Sequence, residues 1–209
     1  MVSVERIAIK EILKNCIYDK LDNNFNEFLE ILNSDYCDKE LLFKKKQYPG
    51  LSPSCDNILN YAIKNKARAV KHILKSKHCS EKLLLDKCLN GMNALMYAAT
   101  FNSDAFIEIF ESEHCTEKVK SEKNLSHNSS VLMLACLNQP KAAKYFLESN
   151  YCTEGHILYQ NNKGANTLMI ACSQQSDIGK FILKSKYCSK ELLLQKSDKL
   201  ANSFTIACC

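Results

Sequence analysis

The residues best suited to covalent chemistry are the cysteines, of which the chain has 12, and the five histidines. The two types are adjacent at His78-Cys79 and His114-Cys115, and a neighbouring imidazole can activate a thiol as a nucleophile. The same cysteine phrase recurs with tyrosine in place of histidine, at Tyr36, Tyr151 and Tyr187. Since a tyrosine cannot act as a base near neutral pH, we interpret this position as an amphipathic ring that packs against the next repeat with its polar tip in water.

Two other cysteines, Cys55 and Cys88, lie outside the recurring phrases and are the candidates for a cysteine-dependent enzyme, which is the alternative function. A metal site is not predicted, because the chain has no C-x-x-C pair and Cys208 and Cys209 are adjacent. The five glycines form no phosphate-binding loop. We therefore expect neither a metal nor a cofactor.

The cysteine phrases belong to a repeat that runs along most of the chain. Its cysteines are Cys37, Cys79, Cys115, Cys152 and Cys188. A second, apolar phrase begins at Asn57, Asn93, Ser130, Asn166 and Asn202, in steps of 36, 37, 36 and 36 residues. So constant a step is typical of a stacked repeat array, whose usual role is to present a surface to a partner.

Each repeat reads as two helices followed by a short turn and a polar finger. Ahead of the cysteine, the apolar residues Ala67, Val70, Ile73 and Leu74 share one helical face. The second phrase opens with Asn or Ser as an N-cap and continues as a nearly all-apolar helix, which must be covered on both sides. The pattern predicts an all-α solenoid of stacked helix pairs, with short turns and fingers between repeats of about 36 residues.

Composition narrows the function further. The net charge of +5 arises from 28 basic and 23 acidic residues, so nucleic-acid binding is not demanded, whereas an acidic partner fits. No stretch of 18 uncharged apolar residues occurs, which predicts that the chain does not span a membrane. Because the cysteines sit inside apolar helical phrases, we interpret them as reduced thiols in a cytoplasmic, reducing compartment.

The second phrase resembles the ankyrin repeat, whose first helix opens with T-P-L-H-x-A. Residues 93–99 and 166–172 align with that motif, although Met96, Met133 and Met169 stand in place of its histidine. The resemblance covers residues 20 to 209 and is similar to divergent arrays carried by intracellular bacteria and large DNA viruses. It implies a protein-binding module without enzymatic activity, with an effector role on host proteins and a location in the host cytosol if the protein is secreted.

We predict a single array over residues 1–209. Residues 1–50 form an atypical N-terminal cap and first repeat, residues 51–200 form four regular repeats, and residues 201–209 start an incomplete further repeat. The chain is therefore expected either to be the N-terminal part of a longer protein or to dock its last helix in an unusual way.

The predicted binding surface is the concave side, built from inner helices and fingers, in a monomer that binds a partner protein with an acidic surface. Its candidate residues are Lys45, Lys46, Tyr48, Lys87, Lys123, His127, Tyr159, Asn161 and Lys163.

Overall fold

The computed structural model describes residues 4–46, 56–88, 91–174, 177–198 and 201–202. Their helices are α1 (Val4–Asn23), α2 (Phe25–Asn33), α3 (Lys39–Phe43), α4 (Ile58–Asn65), α5 (Val70–Leu74), α6 (Glu81–Leu85), α7 (Ala94–Phe101), α8 (Ser103–Phe110), α9 (Glu117–Ser121), α10 (Val131–Asn138), α11 (Pro140–Glu148), α12 (Glu154–Leu158), α13 (Thr167–Ser173), α14 (Asp177–Leu183) and α15 (Lys190–Leu194). A 3₁₀ turn, Ala67–Ala69, leads directly into α5. These residues form no β-strand, so the predicted all-α class is confirmed.

The helices form successive layers of three, each with an inner, an outer and a short helix. The inner helices of the four later layers are α4, α7, α10 and α13, and the outer helices are α5, α8, α11 and α14. Inner helix α7 packs between α4 and α10, and outer helix α11 packs between α8 and α14. Each layer therefore covers the apolar face of its neighbour, as the sequence predicted.

The predicted N-caps of the inner helices are confirmed. The side-chain oxygens of Asn57, Asn93, Ser130 and Asn166 accept hydrogen bonds from backbone N–H groups at 2.9, 3.0, 3.3 and 2.8 Å. Asn93 also donates from Nδ2 to the carbonyl of Val119 at 2.8 Å, and Asn166 donates to that of Leu192 at 3.2 Å. One amide thus caps the inner helix and ties it to the short helix of the same layer.

The core runs continuously along the stack. Nearly every residue of α7 and α10 is buried, while α8 and α11 bury one face. Met96, Met133 and Met169, which replace the motif histidine, are all buried at 0–1% exposure. Asn60 holds the same position in α4 and is fully buried.

The fingers are hairpin-like loops whose two ends are joined by a backbone hydrogen bond. The N–H groups of Lys46, Cys88, Asn124, Asn161 and Ser197 donate to carbonyls across the loop at 2.8–3.1 Å. Gly91, Asn128 and Gly164 turn these loops with φ of +67°, +53° and +65°. This left-handed conformation favours glycine and is tolerated by asparagine.

Candidate functional site

The inner helices present one face to the fingers, and the surface between this face and the fingers is termed the groove. Lys46, in the first finger, places Nζ 3.7 Å from the centre of the Tyr61 ring of α4. The hydroxyl of Tyr97 on α7 donates to a carboxylate oxygen of Asp56, at the base of the same finger, at 3.2 Å. Tyr61 and Tyr97 occupy equivalent positions in their helices, and both contact the first finger. The helix face that carries them is therefore the face directed toward the fingers.

Two exposed apolar side chains lie at the C-terminal ends of the inner helices α7 and α10. Phe101 is 41% exposed and Leu137 is 44% exposed. The Phe101 ring lies 4.6 Å from that of Tyr97, centre to centre, which places it on the groove face. Lys64 of the preceding layer sets its Nζ 5.2 Å from the Phe101 ring centre. This face therefore has an exposed aromatic ring with a cation beside it.

The positions of Phe101 and Leu137 can be compared among the inner helices. Phe101 and Leu137 are the eighth and seventh residues after their N-caps. The same two positions in the other inner helices are polar: Lys64 and Asn65 in α4, and Ser173 and Gln174 in α13. All four of these polar residues are exposed, so the position is open to solvent throughout the stack.

The first-finger lysines predicted to bind a partner already have partners within the chain. Lys45 forms an ion pair with Asp86 of the following layer. Lys46 pairs with Asp22 at 3.1 Å, and Asp22 also accepts a hydrogen bond from the Tyr61 hydroxyl at 2.7 Å. Both lysines are only partly exposed, and a carboxylate of the chain balances the charge of each.

The next two predicted lysines are also held internally. Lys87 pairs with Glu122 of the following finger, Nζ to Oε2, at 2.6 Å. Lys123 donates to the carbonyl of Ser121 at 2.8 Å and lies 4.7 Å from the centre of the Tyr159 ring. Burial lowers the pKa of Lys123 below its ordinary value. These contacts stack adjacent fingers against one another.

Tyr159 and Asn161 stabilise the fingers themselves. The Tyr159 hydroxyl donates to the carbonyl of Asn128, in the preceding finger, at 2.7 Å. The side-chain oxygen of Asn161 accepts from the backbone N–H groups of Lys163 and Ala165 at 3.0 and 3.1 Å. Both side chains are half-buried, so their described contacts hold the fingers in shape.

His127 and Lys163 are the predicted site residues whose side chains point free into solvent. Both are exposed, as is Lys196 on the next finger, and within the described ranges neither lysine has a carboxylate at ion-pair distance. Their backbones join consecutive fingers, because the carbonyls of His127 and Lys163 accept from Asn162 and Asp198 at 2.9 and 3.0 Å. Tyr48, the remaining predicted residue, lies outside the described residues.

Burial raises the pKa of six of the described thiols. Burial raises the pKa of Cys37 and Cys79 to about 11 and that of Cys115 to about 12. Cys88 is buried at 7% exposure, and Cys55 lies outside the described residues. A thiol with so high a pKa is protonated at neutral pH and is a poor nucleophile.

The aromatic position before the cysteine needs one correction. Tyr187 is only 8% exposed, and its hydroxyl donates to the carbonyl of Cys152 in the preceding layer at 2.8 Å. The prediction that the polar tip faces water is therefore wrong at Tyr187. At Tyr36, in the first layer, the side chain is 37% exposed.

The residues described here contain no group of three His, Cys, Asp or Glu side chains placed to hold a metal ion. None of the helices within the described ranges has both the length and the apolar character needed to cross a bilayer.

Sequence reasoning missed Phe101 and Leu137 because the apolar phrase was interpreted as wholly buried. The signal was present in the alignment of the repeats, since Asn65 and Gln174 match Phe101, and Lys64 and Ser173 match Leu137. Polar residues at these positions indicate that this end of the inner helix meets water. An apolar residue at a position where other repeats have polar ones indicates an exposed contact.

No family model matches this chain, and no curated protein matches it. Solved structures do. A chain of the complex between the predatory endopeptidase Bd0816 of Bdellovibrio bacteriovorus and the immunity protein Bd3460 superposes with a TM-score of 0.65 at 18% identity, over 93% of this chain and 89% of that one. The ankyrin repeat protein EF0377 superposes with a TM-score of 0.66 at 15% identity, over 92% of this chain and 89% of that one. These likenesses confirm that the fold is an ankyrin-like solenoid.

Proposed function

We propose that this ankyrin-type array is an interaction scaffold that holds a segment of a partner protein in the groove between its fingers and inner helices. The observation that carries the proposal is the exposure of Phe101 and Leu137 in helices that are otherwise nearly all buried. The fold supports it, because stacked arrays present extended concave surfaces. One similar structure is itself a chain of a protein–protein complex.

The apolar centre supplies the affinity of the proposed site. Interface energy is concentrated in a few central residues surrounded by polar ones, and Phe101 and Leu137 have polar equivalents in the flanking layers. Each is about two-fifths exposed, so covering either one contributes about 1 kcal/mol on the usual scale for buried apolar side chains. Lys64, beside the Phe101 ring, favours a partner whose apolar side chain is followed by a carboxylate.

The charge of the fingers sets the proposed orientation of the partner. His127, Lys163 and Lys196 are exposed on consecutive fingers and would face the acidic part of the partner. Lys45, Lys46, Lys87, Lys123, Tyr159 and Asn161 remain part of the proposed surface, but they act mainly by fixing the finger stack. Binding should accordingly weaken with salt, since exposed charges are screened.

We place this function in a reducing, cytosol-like compartment. The nine described cysteines are free thiols, and the resemblance to arrays of intracellular bacteria and viruses supports an effector that acts on host proteins. Within this proposal the chain itself carries no catalytic residue.

Affinity capture from a cell extract tests the proposal with repeat-matched variants. The groove variant Phe101→Asn with Leu137→Ser introduces the residue types that other inner helices have at these positions. The control variant Ile12→Ser with Leu194→Ser removes two apolar side chains that are 64% and 58% exposed outside the groove. We expect the wild type and the control to retain the same protein, and the groove variant to lose it.

The captured protein is then purified and its affinity measured by calorimetry at two salt concentrations. The loss of two contacts of about 1 kcal/mol each corresponds to a Kd about 30-fold weaker for the groove variant. A protein that binds the groove variant as tightly as the wild type would place the binding surface elsewhere.

A further inference from the structure

The outer face of the second and third layers carries two strips of opposite charge. The basic strip consists of Arg68, Lys71, Lys75 and Lys77, around α5. The acidic strip consists of Asp104, Glu108, Glu111 and Glu113, around α8. All eight residues are exposed. Three basic residues have an acidic counterpart exactly one repeat, 36 residues, later: Arg68 and Asp104, Lys75 and Glu111, Lys77 and Glu113.

The strips do not neutralise each other within the chain. Among the described residues no ion pair joins one strip to the other. Lys77 pairs instead with Asp35 of the first layer at 3.2 Å, and Asp104 pairs with Lys141 of the fourth layer at 2.6 Å. Between the strips lies a surface cavity of about 320 Å³, with Lys71 and Lys75 on one side and Glu108, Glu111 and Glu113 on the other.

Three residues that line this cavity form no ion pair among the described residues: Lys71, Lys75 and Glu108. The remaining charge of each strip is therefore available to a partner. A single-sign surface would fit an oppositely charged partner of any kind, but two adjacent strips of opposite sign fit a surface with the same two strips in reverse order.

We propose that these two strips form a self-complementary surface that binds a second copy of this chain. A two-fold axis parallel to α5 and α8, midway between them, places the basic strip of each copy opposite the acidic strip of the other. Such an arrangement is isologous and closes at two copies. This surface lies on the outer helices and is separate from the groove proposed to hold the partner protein.

The proposed contact is weak and depends on salt. Helix α5 has five residues and α8 has eight, so two short helices cover less than the roughly 800 Å² per partner of a standard interface. The apolar residues beneath them, Leu74 and Phe110, are 8% and 6% exposed and add little. The attraction is thus mainly between exposed charges, which salt screens over about 10 Å at 0.1 M ionic strength. This proposal departs from the monomer expected from the sequence.

Two charge-reversal variants test this proposal by sedimentation velocity over a concentration series. Variant A, Glu108→Lys with Glu113→Lys, reverses two of the four charges of the acidic strip. Variant B, Lys71→Glu with Lys75→Glu, reverses two of the four charges of the basic strip. The control, Lys184→Glu with Lys190→Glu, reverses two exposed lysines of the last layer.

We expect the wild type and the control to associate at low salt, with the Kd rising about tenfold or more as salt approaches physiological strength. Variants A and B should each be monomeric, because the altered strip has a formal charge of zero and no longer attracts the opposite strip of a second copy. An equimolar mixture of A and B should associate again, because the unaltered basic strip of A faces the unaltered acidic strip of B and the introduced lysines face the introduced glutamates.

A wild type that stays monomeric at low salt would overturn the proposal and assign the strips to attraction between layers of one chain. The same conclusion follows if variants A and B self-associate like the wild type, or if their mixture fails to associate. Circular dichroism of each variant verifies that the helices are intact, and the salt series on the wild type needs no variant.

Discussion

Replacing Asn60 by methionine should stabilise the protein. Asn60 is fully buried in α4, and neither its Nδ2 nor its Oδ1 has a hydrogen-bond partner. The equivalent residues of the later layers are methionines that are 0–1% exposed. A buried polar group without a partner costs about 1–3 kcal/mol, so Asn60→Met removes a cost that the other inner helices do not bear.

The gain is limited by the size of the new side chain. Burying a methionine contributes about 1.5–3 kcal/mol, while adding methylene groups to a packed core costs typically about 1–3 kcal/mol, less where the side chain is flexible. These two terms nearly cancel, which leaves the removal of the unpaired amide. We expect the free energy of unfolding to rise by about 1–2 kcal/mol, and the Tm by about 2–8 °C for a chain of this length.

Urea unfolding followed by circular dichroism measures this change, with the reciprocal variant Met96→Asn as the matched comparison. Met96→Asn buries the same unpaired amide one layer later and should lower the free energy of unfolding by about 2–4 kcal/mol. Layers of an array can unfold separately. Thermal unfolding of both variants is therefore also followed by circular dichroism, and the temperatures of their first transitions are compared. An Asn60→Met protein that is folded but less stable than the wild type would show that the Asn60 amide is satisfied in solution, and the reasoning would be wrong.

Three further measurements probe other features. Gly91→Ala should destabilise the second finger by about 1–2 kcal/mol, because φ is +67° and a Cβ would fall 2.2 Å from the Leu125 side chain, whereas the control Gly155→Ala in α12 should be neutral or stabilising. His156 accepts the Thr153 N–H at Nδ1, 3.1 Å away, and burial, aided by Lys123, lowers its pKa in the folded state below 6.5. The folded state thus binds this proton less readily than the unfolded state, so the free energy of unfolding should be constant above about pH 6.5 and fall below it. His156→Gln should remove this part of the pH dependence, which a series of unfolding curves at different pH values measures. An unchanged slope in the variant would contradict the assignment to His156. Thiol labelling at neutral pH should be slow at Cys79, Cys115 and Cys136, whose pKa values burial raises, and a Cys88 that reacted far faster than these would instead favour the cysteine-dependent enzyme.

Much of the architecture could be predicted because it is encoded locally. The period of about 36 residues marks the layers, the apolar spacing marks the buried face of each outer helix, and the Asn or Ser before each inner helix marks its start. These features depend on residues within one or two helical turns of each other. For the same reason the all-helical solenoid needed no knowledge of distant contacts.

The candidate site was harder to predict because its character depends on partners far away in sequence. Lys45 and Lys87 looked free in the sequence but pair with Asp86 and Glu122, 41 and 35 residues later. The second role of Asn93, its hydrogen bond to the Val119 carbonyl, joins segments 26 residues apart and left no local sign. A charge on a finger is available to a partner only if the neighbouring finger does not already balance it.

The sequence by itself determined that layers repeat, where their helices begin and which faces are apolar, since periodicity and capping act within a single turn. Only the tertiary structure decided that Phe101 and Leu137 stay exposed while similar side chains beside them are buried. It also decided that the charges of α5 and α8 lie side by side on the outer face without pairing. Whether a side chain is buried or forms an ion pair depends on its distance from residues of the neighbouring layers. That distance is set when the layers stack.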